Sequence, residues 1–114
     1  MPAPMIKNDD PLYVLLRQGN VGDFNRRWAA GEACDLTNAD FRGLELFGWE
    51  PAGLDLSGAY FRQADLRGID FSNCKLAGAS IHTAKISGAL FPKSLSVEEI
   101  TLSHSLGTRM RVLA

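Results

Sequence analysis

From Cys34 onward the chain repeats apolar and polar positions with a period of five. Divided into fives, residues 34–93 read CDLTN, ADFRG, LELFG, WEPAG, LDLSG, AYFRQ, ADLRG, IDFSN, CKLAG, ASIHT, AKISG and ALFPK. The central residue is Leu, Phe or Ile in eleven of the twelve, the exception being Pro51, and two positions earlier the residue is always apolar. The fifth position is Gly, Asn, Gln or Thr until Lys93. Neither the 3.6-residue period of a helix nor the two-residue period of a strand fits this stretch. A short fixed period marks a repeat architecture, in which each unit buries its apolar face against the next. Apolar first and third positions supply two inward side chains per five residues. A fifth-position Gly or Asn supplies the left-handed backbone of a tight corner. Small residues such as Ala39, Ala59, Ala64, Ala79 and Ala84 let those corners close.

The flanks follow a different rhythm. Asp10-Pro11 reads as an N-cap followed by a first-turn proline, with Leu12, Leu15 and Leu16 on one helical face and Gly19 as the stop. Asn20 and Asp23 resemble a capping-box variant that opens a second helix, with Val21, Phe24 and Trp28 inward and Gly31 at its end. After the repeats, Ser96 and Glu99 form a capping box, Leu95 staples onto Ile100, and Gly107 ends the helix. The tail Arg109–Leu113 alternates charged and apolar residues as a short strand does.

The twelve pentads resemble the pentapeptide-repeat family, whose pattern is A(D/N)LxG or close to it. The segment LLRQGNVGDFNRRWAAGEACDL is similar to the helical leader of many small members. The resemblance implies four pentads per square coil of a right-handed quadrilateral β-helix, so that twelve pentads give three coils of twenty residues. The expected fold class is an all-β solenoid: a three-coil right-handed quadrilateral β-helix with α-helical caps at both ends. The expected organisation is a single domain over 1–114, with an N-terminal helical cap at 10–31, repeats at 34–93, and a C-terminal helix and tail at 94–114.

A twenty-residue coil stacks residues twenty apart into columns. Leu36, Leu56 and Leu76 form one core column; Phe41, Phe61 and Ile81, then Leu46, Leu66 and Ile86, form the next two. Pro51, Phe71 and Phe91 form the fourth, and Pro51 weakens it because proline has no N–H to donate. At the solvent-facing second position, Asp35, Asp55 and Lys75 align, as do Glu45, Asp65 and Lys85. Another outward column stacks Arg42, Arg62 and His82, the candidate site for an anionic or acidic partner. Met110, Val112 and Leu113 are the candidate self-association residues, because one short C-terminal helix covers the last coil thinly. The resemblance adds that some relatives are dimers joined near the C-terminus, so a homodimer through residues from Ser96 onward is expected.

Charge narrows the functional classes. The chain of 114 residues carries 12 basic and 13 acidic side chains, a net charge of −1, which argues against direct nucleic-acid binding through bulk electrostatics. No apolar run approaches the roughly 18 residues of a membrane span. The opening residues 1–7 lack the apolar core of a secretory signal, so a cytoplasmic location is expected. Cys34 and Cys74 sit at inward positions two coils apart, about 9.6 Å by coil spacing, beyond the roughly 7 Å limit of a disulfide. His82 and His104 are the only imidazoles, and no Cys or His spacing matches a zinc site. No cofactor, metal or catalytic residue is expected, and the chain reads as a non-enzyme.

The leading functional expectation is a protein-interaction module that presents rigid flat faces to an unknown protein partner. The resemblance also raises a DNA-mimic role, in which an acidic β-helix binds a topoisomerase. Three coils rise only ~14 Å, and DNA over that length carries roughly eight negative charges. Residues 34–93 hold seven acidic and six basic residues, so the imitation is poor. An accessory or immunity-like role beside a bacterial toxin or secretion system is the remaining alternative.

Overall fold

The structure is a computed structural model that describes residues 3–113; the first two residues of the opening stretch and Ala114 lie outside them. Three helices flank the repeats: α1 (Pro11–Arg17), α2 (Val21–Ala29) and α3 (Val97–Leu106). Between α2 and α3 the chain turns every five residues, from 37–38 through to 87–88. Each turn closes with a bond from a pentad's first N–H to the previous pentad's central carbonyl, as from Ala59 to Leu56 (3.0 Å) and from Ala84 to Ile81 (3.0 Å). The fifth position takes positive φ at its glycines and also at Asn38, Gln63 and Thr83, whereas Asn73 does not. Positive φ is the geometry a type II turn requires at its third residue.

The backbone returns over itself every twenty residues. Parallel bridges join Asp40 to Tyr60 and Tyr60 to Ser80, Glu45 to Asp65 and Asp65 to Lys85, Asp55 to Lys75, and Asp70 to Leu90. These are isolated bridges, and among the described residues no continuous strand forms, in contrast to the strands expected of an all-β chain. The reason is geometric: a five-residue side that spends two residues on its corner has room for one bridged residue. The tail also differs from expectation, since Arg109–Leu113 forms no strand.

Pro51 interrupts the ladder as its chemistry requires. Phe41, Leu46 and Leu56 donate to the coil above at 2.8, 3.1 and 2.8 Å, whereas Pro51 has nothing to donate and Glu50 makes no bridge to Asp70. The ladder resumes at Gly53, whose N–H reaches Asn73 at 3.1 Å.

The first and third pentad positions fill the interior. Phe41 and Phe61 stack with centroids 5.0 Å apart and planes 8° apart, and Phe71 stacks on Phe91 at 6.2 Å. Trp49 occupies a first position that elsewhere holds Ala, Cys, Leu or Ile, and its ring meets Phe24 of α2 edge-on at 5.8 Å while also touching Phe41, Phe61 and Phe71. Its indole N–H is buried without a hydrogen-bond partner among the described residues. Cys74 is buried and Cys34 half-buried, both as free thiols. Burial pushes the Cys34 thiol up to about 12 and the Cys74 thiol up to about 11, so neither is an activated nucleophile.

The helices start and stop on identifiable residues. Asp10 caps α1, accepting from Leu12 and Tyr13 N–H at 3.0 and 3.3 Å, and its other oxygen accepts from Asp35 N–H at 2.9 Å. Asn20 makes no side-chain cap on α2, contrary to the capping-box reading; its amide turns to Gln18 instead. Ser96 caps α3 through Glu99 N–H at 3.1 Å. The returning half of that box is missing, because the Glu99 carboxylate binds Arg111.

Candidate interaction surface

Outward side chains ride on the corners and bridges, so the backbone sets which of them meet. The expected Arg42–Arg62–His82 column does not form a cationic stripe. Arg42 folds back onto Asp40, with Nη2 2.9 Å from Oδ2 and Nε 3.1 Å from Oδ1, and its guanidinium lies 5.5 Å from the Tyr60 ring centroid. Burial alone would raise the Asp40 pKa, but the hydrogen bonds from Arg42 hold the carboxyl below its usual range. His82 is drawn beneath α3, where Nδ1 lies 3.2 Å from the His104 carbonyl. Its ring also packs against Gly107, where an added Cβ would come within 3.2 Å of Cγ. Arg62 alone of the three stays exposed without an ion-pair partner among the described residues. Equal spacing placed these residues in one column, but their neighbours in sequence and the cap divided them.

The candidate self-association patch also divides. Met110 is buried at 1% exposure, with its N–H on the Ala79 carbonyl (2.9 Å) and its carbonyl on Gly78 N–H (2.7 Å). It acts as part of the rung above the third coil, not as free surface. Val112 and Leu113 remain exposed. The outer side of α3 adds Val97, Leu102 and Leu106, exposed by 75%, 37% and 68%.

Two side chains the sequence did not single out join the coils. Arg109 Nη1 donates to the carbonyls of Gly58 (2.9 Å) and Gly78 (3.0 Å), one on each of two successive coils. Its guanidinium also lies 5.5 Å from the Tyr60 centroid, so Tyr60 carries Arg42 and Arg109 together. Asn25 of α2 uses its amide as a substitute peptide group: it donates to the Gly48 carbonyl and accepts from Glu50 N–H, both at 2.9 Å. The two bonds straddle Trp49 as the Met5 backbone straddles Ala39, where Met5 N–H reaches Asn38 and Asp40 N–H reaches Met5, both at 2.8 Å. A polar side chain near a helix centre, otherwise among outward residues, was the only signal for Asn25 in the sequence.

The remaining surface is charge-paired and shallow. Hydrogen bonds from Arg67 bring Asp65 down to about 2, and Glu32 pairs with Arg27 at 2.8 Å. An open groove of about 640 Å3 runs between α2 and the first coil past Trp28, Glu32, Glu50 and Ala52, and Trp28 Nε1 closes one wall by donating to the Ala52 carbonyl at 2.9 Å. Among the described residues no three His, Cys, Asp or Glu side chains gather as a metal site, and no helix is long and apolar enough to cross a membrane.

With the five-residue turns and twenty-residue returns established, the family comparison is decisive for residues 55–91, which match the model for pentapeptide repeats in eight copies. Residues 55–91 are pentapeptide repeats of that family. The match begins where the sequence becomes most regular, after Phe47, Trp49 and Pro51. The pentapeptide-repeat turn geometry itself extends back to Asn38. Searches of curated proteins and of solved structures found no match to the chain.

Proposed function

We propose that this pentapeptide-repeat protein is a non-catalytic, cytoplasmic protein-interaction module. In this reading the stacked repeats are a right-handed quadrilateral β-helix of three coils, a solenoid closed by helical caps, whose flat sides dock a protein partner. The observation that carries it is the set of bridges at twenty-residue intervals, which fixes outward side chains in columns on a framework with little freedom to rearrange. A preorganised face loses little entropy on binding. The chemistry favours docking over turnover: the thiols are held protonated, and Asp40 and Asp65 are engaged by arginines. The test is chemical crosslinking of a partner captured by the full chain. Crosslinks on residues 42–90 support the reading, whereas turnover of a small-molecule substrate by the purified chain contradicts it.

A second reading, self-association through the C-terminal end, draws on the exposed Val97, Leu106 and Leu113. Sedimentation of the full chain beside a Val97→Asp, Leu106→Asp variant tests it; dimers lost in the variant support it, and a monomer at every concentration removes it. The DNA-mimic reading is disfavoured by charge, and inhibition of gyrase supercoiling at micromolar protein would restore it.

A further inference from the structure

The rungs between coils follow one rule. Leu66, Gly68 and Phe71 each donate an N–H to the coil above, at 2.8, 3.0 and 2.8 Å. Their equivalents on the third coil are Ile86, Gly88 and Phe91, and among the described residues none of these three N–H groups has an acceptor. The C-terminal cap serves the preceding sides instead. Gly78 donates to Met110, Ile81 to Ser103 Oγ and Thr83 to His104, while His104 Nε2 lies 2.9 Å from the Ala84 carbonyl. The cap therefore stops at Ala84 and leaves the next side and its following corner unpaired. An edge of unpaired backbone donors is a template for another strand.

The side chains around this edge restrict what can lie there. Ile86 and Phe91 are half-buried and Leu90 is 56% exposed, so the rung is apolar at its inner and outer margins. Residues 84–94 contain Lys85 and Lys93 and no acidic residue. Lys85 ends the column of Glu45 and Asp65, in which each residue bridges the next, so the position above it faces an ammonium group. A second copy meeting this edge with its own would bring the same lysines together. We propose that the open edge Ile86–Phe91 binds an extended segment of a partner protein as the next rung, a segment that alternates apolar and acidic residues. This rests on the interaction-module reading and names the surface and the partner chemistry. The acid sits above Lys85, the apolar residue above Ile86, and the partner's carbonyls accept from Ile86 and Gly88.

The probe is a short synthetic peptide alternating valine and glutamate, titrated into the isotope-labelled full chain to about 1 mM, the weak end of specific affinity. The expected result is that the amides of Ile86, Gly88 and Phe91 shift most and exchange with solvent more slowly. A control peptide alternating valine and lysine should bind more weakly, and Lys85→Glu with Lys93→Glu should weaken the glutamate peptide about three- to tenfold, as expected for two exposed charge pairs. Both substitutions are on exposed side chains, so retained amide dispersion confirms folding. Unmoved Ile86 and Gly88 amides overturn the proposal, as does equal binding of the two peptides. The same shifts produced by adding unlabelled copies of the chain also overturn it, in favour of self-pairing. Crosslinks of a captured partner that map to another side overturn the edge proposal while leaving the interaction-module reading standing.

Discussion

The two ends of the coil stack are closed by different physics. At the N-terminal end two helices press an aromatic cluster onto the first coil: Phe24 and Tyr13 are fully buried, and Tyr13 and Phe24 pack on Phe41 and Trp49. Asn25, Asp10 and the Met5 backbone then meet the polar groups of that coil. At the C-terminal end one helix exposes Val97 and Leu106, and closure relies on polar contacts from Ser103, His104, Arg109 and Arg111, with Met110 as the main buried apolar side chain of the tail. Burial of large rings stabilises an end more than do a few hydrogen bonds, which only replace bonds to water. The aromatic end should therefore be the stable one, and the polar end the one that opens and leaves an edge for a partner.

The comparison breaks first at Phe24. Phe24→Ala should cost about 3–5 kcal/mol, because a fully buried ring leaves a cavity beside Trp49. Met110→Ala should cost less, about 2–3 kcal/mol, since the tail can partly collapse over the gap. Urea denaturation of the two variants orders the ends; a larger loss at Met110 reverses the comparison. Asn25→Ala should cost about 1–2 kcal/mol for two hydrogen bonds that lie at the surface. Arg62→Ala, exposed on the same framework, should remain within about 0.5 kcal/mol.

Acid should act on the polar end. Hydrogen bonds from Arg111 lower the Glu99 pKa below its usual 4.5. A depressed folded-state pKa gives stability that is present above the unfolded value and is lost as pH falls through the folded one. Below about pH 4.5 the tail should therefore loosen, seen as faster exchange of the Arg111 amide, and Glu99→Gln should remove that step. An Arg111 amide that exchanges at the same rate across this range shows that Glu99 does not hold the tail.

The repeat was legible because its period is set by the backbone. Each corner needs a left-handed residue or one that tolerates it, and each side has room for two inward side chains, so the sequence carries both marks every five residues. The capping helices were legible for similar reasons: Asp10 with Pro11, and Ser96 with Gly107, are local chemistry. The surface was less so. Column arithmetic places Arg42 above nothing but coil geometry, whereas the carboxylate two residues before it decides where its guanidinium goes. His82 and Met110 were misread as surface because their exposure depends on where α3 and the tail settle, a contact between segments more than twenty residues apart. Asn25 and Arg109 carry no motif at all; their roles come from backbone groups that only the stacked coils bring into reach.

The most direct test of the account is a pair of deletions compared by chemical denaturation. Removing residues 54–73 takes out one whole turn of the stack and joins Gly53 to Cys74 with every column preserved. Removing residues 54–63 takes out half a turn and moves each inward side chain to the opposite side of the stack. The account predicts that the longer deletion still unfolds in a single cooperative transition while the shorter one does not fold. Equal damage from the two would contradict the twenty-residue return on which every site in this molecule depends.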